Sequence, residues 1–169
     1  VGYTLALPVP PQLSMGGAKV TFAPNVNDGI YGGATAYPGV YGGKYYFEFA
    51  VSGKCAIAGV GPKFDAGSFP GFDEDSFGYG DISLDDEGLL YNGAAVSIGP
   101  AFSKTQETII GFAIDTETNS MWVSHDGAWL PATGLSPVGN PARGTNPTAR
   151  LKPQLEYHPM AGYGCPNPR

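Results

Sequence analysis

The chain has 169 residues, 42% hydrophobic and 12% aromatic, with nine Lys and Arg against fifteen Asp and Glu. That length suits one core rather than two, and that composition can fill it. The net charge of −6 argues against nucleic acid, whose backbone is bound mainly by neutralising its phosphates. No apolar run is long enough to cross a membrane as a helix, so no membrane partner is expected.

The 26 Gly and 16 Pro fall between periodic apolar segments, where turns would put them. They predict many short strands rather than disorder. The first, Ala18 to Ala23, turns Val20 and Phe22 inward. From Tyr45 the alternation is clear, with Tyr45, Phe47, Phe49 and Val51 on one face and Tyr46, Glu48 and Ala50 on the other. Ala56 to Val60 is small and apolar throughout, as a central strand covered on both sides should be. Cys55 and Cys165 form neither a disulfide framework nor a zinc site. They are read as two unpaired thiols, with Cys55 in a buried strand.

The loop 63–72 sets Phe64, Phe69 and Phe72 among Gly, Pro and Asp. Loop aromatics are either pinned into the core or offered to a ligand. Acids cluster at Asp73-Glu74-Asp75 and at Asp85-Asp86-Glu87. Asp73, Asp75 and Asp81 carry oxygens suited to Ca²⁺ without the spacing of a known loop, and solvated acidic loops are the preferred account. Glu87-Gly88 separates Ile82-Ser83-Leu84 from Leu89-Leu90-Tyr91, and Asn92-Gly93 closes the latter. Thr108 to Ile114 brings Ile110, Phe112 and Ile114 together.

Asp126-Gly127 is the strongest hairpin signal, because a type I′ turn needs positive φ at both central residues. It pairs His125 with Ala128 and Ser124 with Trp129, which puts Trp122 and Trp129 on one face as diagonal neighbours. The Pro/Gly-rich loop 131–149 follows. Its residues 137–147 are expected to fold back over the hairpin with Trp129 as their platform, Trp122 being the more buried indole. A last strand is read at Leu151 to Tyr157. Strands and turns at this density predict an all-β fold, a two-sheet antiparallel sandwich.

Six motifs in order carry a family resemblance. Gly43-Lys44-Tyr45-Tyr46-Phe47-Glu48-Phe49, Ala58-Gly59-Val60-Gly61, Asp75-Ser76-Phe77-Gly78-Tyr79, Leu90-Tyr91-Asn92-Gly93, Ile109 to Asp115 and the hairpin Trp122 to Trp129 resemble the SPRY family across roughly residues 18 to 158. The resemblance implies a concanavalin-like jelly roll over 18–169, with 1–17 as an N-terminal extension. A narrower likeness joins Trp129 and Gly139-Asn140-Pro141-Ala142-Arg143-Gly144-Thr145-Asn146-Pro147 to an insertion in SPRY-like domains of tailed-bacteriophage structural proteins. Carried over by position, the family's docking loops are 63–72 and Tyr157-His158-Pro159-Met160. The candidate binding residues are therefore Phe64, Phe69, Phe72, Asp73, Tyr157 and His158.

Catalysis is not expected. Ser124-His125-Asp126 holds the letters of a triad, but strand neighbours point to opposite faces and cannot line up as nucleophile, base and orienter. Glycoside hydrolysis needs two carboxyls facing across a cleft, and neither Glu48 nor Glu156 has an acidic neighbour two residues on. Asp115 and Glu117 have that spacing but fall where the family places a turn. No cofactor and no metal are expected. The resulting expectation is a non-catalytic binding module of a phage virion (decoration, fibre or tail domain). Its partner would be another virion protein, a host receptor or a surface glycan, and it would stand alone, as a homo-oligomer, or in a capsid or tail assembly. The alternatives are a soluble cytoplasmic adaptor that reads a short peptide and, more remotely, a carbohydrate-active enzyme.

Overall fold

The structure is a computed structural model that describes residues 2–6, 12–14, 19–21, 31–53, 55–62, 68–81, 88–103, 105–133 and 136–164. In chain order the first strands are β1 (Gly2–Ala6), β2 (Gln12–Ser14), β3 (Lys19–Thr21), β4 (Tyr31–Tyr37), β5 (Lys44–Val51), β6 (Ala56–Gly61) and β7 (Phe77–Gly80). Then follow β8 (Gly88–Tyr91), β9 (Ala95–Gly99), β10 (Thr108–Asp115), β11 (Ser120–His125), β12 (Ala128–Trp129), β13 (Ala149–Arg150) and β14 (His158–Gly164). Among the described residues the only helical turn is a 3-10 turn at Pro141–Arg143.

Seven strands form one antiparallel sheet in the order β1-β4-β14-β6-β7-β8-β9, and β12-β11-β10-β5 form the second, with β13 paired to β11. The hairpin β2–β3 stands apart as a third, small sheet, and β1 pairs with β4 along its whole length. Val20 and Phe22 lie outside the residues whose side chains are described, as do Ile82 to Glu87.

Strand alternation builds the core. In β5 the inward residues Tyr45, Phe47, Phe49 and Val51 are half-buried, and Tyr46, Glu48 and Ala50 are exposed. Phe47 stacks on Phe112 at 5.8 Å, and Phe49 meets Phe112 edge-on at 6.1 Å. Ile110, Phe112, Met121 and Val123 complete this layer against Ala58, Val60, Phe77 and Tyr79 of the other sheet. A hydrogen bond crosses the interior, with Tyr79 Oη 2.9 Å from His125 Nδ1.

β6 is covered on its outer face as well, by the loop that leaves it. A Cβ on Gly59 would lie 2.1 Å from the Phe77 carbonyl oxygen and 2.5 Å from Pro70, and one on Gly78 would lie 2.1 Å from the Pro70 carbonyl oxygen. Glycine at these two positions lets residues 69–71 lie flat on the sheet, and this fixes where the loop emerges.

Two expectations are corrected. The last strand is β14, not Leu151 to Tyr157. Pro153 lacks an N–H and Gln154 has φ of 63°, so the chain turns there. Leu151 and Leu155 pack on the core, and the segment pairs with a neighbour after the turn through the isolated Val40–Tyr157 bridge. β14 begins with a proline at its second position, and its pairing with β4 starts one residue later, at Met160. The next carbonyl along β4, that of Ala36, is taken by His158, whose Nδ1–H donates across 2.9 Å. Cys55 precedes β6 rather than lying within it. It is buried at φ of 62° and is disulfide-bonded, not a free thiol. The other cysteine, Cys165, lies outside the described residues.

Candidate functional site

The described part of the loop between β6 and β7, from residue 68, starts inside the protein. Ser68, Phe69, Pro70 and Gly71 are buried, and Phe69 packs on Ile57 with its ring 6.1 Å from Tyr91. Gly71, at φ of 85°, then lifts the chain off the sheet. The next residue, Phe72, is 55% exposed, yet its ring stands edge-on to Phe69 at 5.4 Å. An aromatic side chain is thus held at the surface by a buried aromatic beneath it.

Of the acids that follow, Asp73 and Asp75 are tied down by hydrogen bonds rather than merely solvated. Asp73 Oδ1 accepts the backbone N–H groups of Asp75 and Ser76 at 3.0 and 2.9 Å and the Ser76 hydroxyl at 3.0 Å. Ser76 Oγ in turn accepts the Gly71 N–H at 2.9 Å, and Asn92 Nδ2 donates to the Ser76 carbonyl at 2.8 Å. This is an Asx-type turn closed on both sides. Its carboxylate is spent on local structure, and among the described residues no group of three His, Cys, Asp or Glu is gathered as a metal site would need.

Asp75 reaches across to Lys152, and that hydrogen bond, with the carboxylates of Asp75, Glu74 and Asp73, holds the Lys152 ammonium above its ordinary pKa. Lys152 also lines a notch of about 290 Å³ with Tyr41, Thr116, Glu117, Leu155 and Tyr157. Tyr41 stands 66% exposed at its edge. The acidic loop and the notch therefore share one end of the sandwich, joined through a single lysine.

The candidate residues separate by burial. Phe72 and Asp73 are exposed at this end. Phe69 lies within the fold. Tyr157 is 1% exposed, donates to the Lys152 carbonyl at 3.0 Å, and has its pKa raised by burial. His158 is buried, capping β4 as described and lying edge-on to Tyr37 at 4.8 Å. Phe64 lies outside the described residues. Sequence reasoning missed Tyr41 and the notch, whose walls come from three separate turns. The only local sign was an aromatic residue ahead of Gly42-Gly43.

The tryptophan hairpin has its expected register, Ser124 opposite Trp129 and His125 opposite Ala128, with Asp126 and Gly127 at φ of 49° and 82°. The loop after it does fold back, but onto Trp122 rather than Trp129. Trp122 Nε1 donates to the Thr145 carbonyl at 2.8 Å, and Gly139 passes so near that a Cβ there would lie 2.8 Å from the indole. Trp122 is 2% exposed, while Trp129 is half-buried beside Tyr46, rings 6.1 Å apart. Ser124 and His125 point to opposite faces, the histidine toward Tyr79, so they form no catalytic line.

Two packed antiparallel sheets without an α-helix among the described residues define a SPRY-type β-sandwich. The chain matches the crystal structure of the SPRY domain of human HERC1 with a TM-score of 0.55 and 20% sequence identity, over 83% of this chain and 79% of that one. No family model and no curated protein matches the sequence.

Proposed function

We propose that this domain is a non-catalytic binding module whose protein partner docks on the end of the sandwich that carries Phe72, the Asp73–Asp75 turn and the Tyr41 notch. The exposed Phe72 carries the proposal. It is a large aromatic at the surface, held by Phe69 and by a closed turn, so little freedom is lost when a partner covers it. Asp73 and Glu74 beside it call for a partner with basic residues at the rim of the contact.

Within that reading we place the domain in a phage particle, as a decoration, fibre or tail module that holds another virion protein or a host surface molecule. The support is the likeness of residues 139–147 to the phage insertion. A disulfide at Cys55 also suits a protein that works in oxidising surroundings rather than in the reducing cytosol. The likeness to a human SPRY domain favours a second reading, a cellular adaptor that reads a short peptide.

The test is titration calorimetry against purified capsid and tail proteins encoded beside this gene, with wild type and Phe72→Ala. A virion partner should bind wild type and lose at least tenfold in affinity with the variant, about 1.4 kcal/mol, at an unchanged melting temperature. Equal binding by both forms would remove Phe72 from the interface. A gene neighbourhood without virion genes would leave the adaptor reading standing instead.

A further inference from the structure

The outer face of the five-stranded sheet carries a second surface, distinct from the end loops. Strand register lays its side chains in rows. Glu48, Gly111, Ser124 and Trp129 form one row, Tyr46, Ala113 and Trp122 the next, and Lys44, Asp115, Ser120 and Arg150 the third. The rows differ in kind: aromatic residues border small ones in the first two, and charges and hydroxyls fill the third.

Tyr46 does not stand upright on this face. A Cβ at Gly111 would lie 2.8 Å from the Tyr46 hydroxyl, so the ring leans across the neighbouring strand into space that only glycine leaves free. Its hydroxyl donates to Glu48 Oε1 at 2.5 Å, and its ring meets Trp129 at 66°. Tyr46 remains 54% exposed. Behind it lies a groove of about 310 Å³ floored by Ala113 and walled by Tyr46, Trp129, Trp122 and Pro141, with Lys44 and Asp115 at one end. That volume is at the small end of ligand sites, roughly 300–1,000 Å³.

The charged end selects the class of ligand. Asp115 is buried, and its Oδ1 already accepts the Glu117 and Thr118 N–H groups at 3.0 and 3.1 Å. Its Oδ2 faces Lys44 Nζ at 3.7 Å, too far for a strong hydrogen bond. The pair therefore offers a carboxylate acceptor and an ammonium donor side by side, with no net charge. A cation would meet Lys44 and an anion would meet Asp115. A prolyl peptide has no N–H at its prolines to satisfy the carboxylate. A polyol satisfies both, since each hydroxyl donates and accepts. The aromatic walls add the other half, because the C–H face of a pyranose ring is slightly positive and an aromatic face slightly negative.

We propose that this groove binds one neutral hexopyranose unit of a glycan, its ring against Tyr46 and Trp129 and its hydroxyls on Lys44 and Asp115. The site is independent of the partner surface at Phe72.

The test uses the whole chain and a panel of methyl hexopyranosides (glucoside, galactoside, mannoside and N-acetylglucosaminide), read by saturation-transfer NMR and by the Trp129 indole N–H signal. At least one sugar should bind with millimolar affinity and move that signal. Tyr46→Ala and Lys44→Met should each weaken it by about tenfold or more at an unchanged melting temperature, and Phe72→Ala should leave it intact. Binding that survives Tyr46→Ala would overturn the proposal. So would a signal that moves only with tetramethylammonium or a proline-rich decapeptide, or one that moves with none of the probes.

Discussion

Two loops rich in Gly and Pro leave strands of this sandwich, and they do opposite things with an aromatic residue. The loop 136–148 closes over one. Trp122 donates to Thr145, Asn146 Nδ2 donates to the Val138 carbonyl at 3.2 Å, and Asn140 caps the 3-10 turn. Thr148 then fastens the loop's end, donating to the Leu130 carbonyl and accepting from Val123 N–H, both at 3.1 Å. The loop 68–76 is pinned as firmly by Asp73 and Ser76 but carries its aromatic on its own crest. The presence of Gly and Pro does not distinguish the two. What distinguishes them is whether the ring belongs to the sheet under the loop or to the loop itself, and only the second arrangement presents it to a partner.

Truncation gives the sharpest way to break that contrast. Trp122→Ala removes the floor under one loop and should cost about 3–5 kcal/mol. Phe69→Ala removes the support of the other and should fall near the same range, whereas Phe72→Ala should change stability by no more than about 0.5 kcal/mol. Chemical denaturation of the three variants checks this. Equal losses for Phe69→Ala and Phe72→Ala would mean that both rings are structural and that the second loop presents nothing.

Thr148→Val tests a smaller part of the closure. The substitution keeps the shape and strips both hydrogen bonds, leaving the Val123 N–H and the Leu130 carbonyl buried without that partner. About 1–3 kcal/mol should be lost. Faster amide exchange at Val123 and at residues 139–146 would show that the hydroxyl fastens the loop. A loss of stability with exchange unchanged there would locate its role elsewhere.

Much of the fold was legible because strand period and turn chemistry are local. The alternation in β5 reads directly as a half-covered strand, and Asp126-Gly127 fixes the register on both sides of it. The last strand was misplaced because Leu151 and Leu155 mimic an apolar period, while β14 hides behind Pro159, whose position is tolerated only because His158 serves the carbonyl beyond the ladder. The candidate site was legible by position and not by direction. Phe69 and Phe72 lie three residues apart in similar company, and only the close approach of Gly59 and Gly78 to Pro70 decides which one sinks. Tyr157 and His158 were likewise legible by position and not by direction, and their side chains turn inward to the Lys152 and Ala36 carbonyls. The groove behind Tyr46 could not be read at all, since its walls come from β5, β10, β11, β12 and the 3-10 turn, and only register brings them together.

The smallest expected effect concerns how the two sheets are tied. His125 of β11 is buried between Phe102 and Tyr79, ring centroids 4.9 and 5.9 Å away, and its Nδ1 faces the Tyr79 hydroxyl. Burial lowers the pKa of His125, and the carboxylate of Asp126, 3.8 Å from Nε2, only partly opposes that shift. Burial also pushes the Tyr79 phenol well above its ordinary value, with Asp126 adding to it. The phenol therefore keeps its proton, and the Asp126 carboxylate on the Nε2 side favours the tautomer with its proton there, in which Nδ1 accepts from the phenol. A folded pKa below the unfolded one, about 6.5, means that the unfolded chain takes up the proton first as pH falls. This contribution to stability is complete above about pH 6.5 and drains away as pH drops toward the folded value. The melting temperature should thus fall between about pH 7 and about pH 5 more steeply in wild type than in His125→Phe, which cannot titrate there. The variant should begin lower at neutral pH, because Tyr79 is left without its acceptor. Parallel slopes for the two forms would show that the proton never reaches this bond, and the tie between the sheets would then be insensitive to acid.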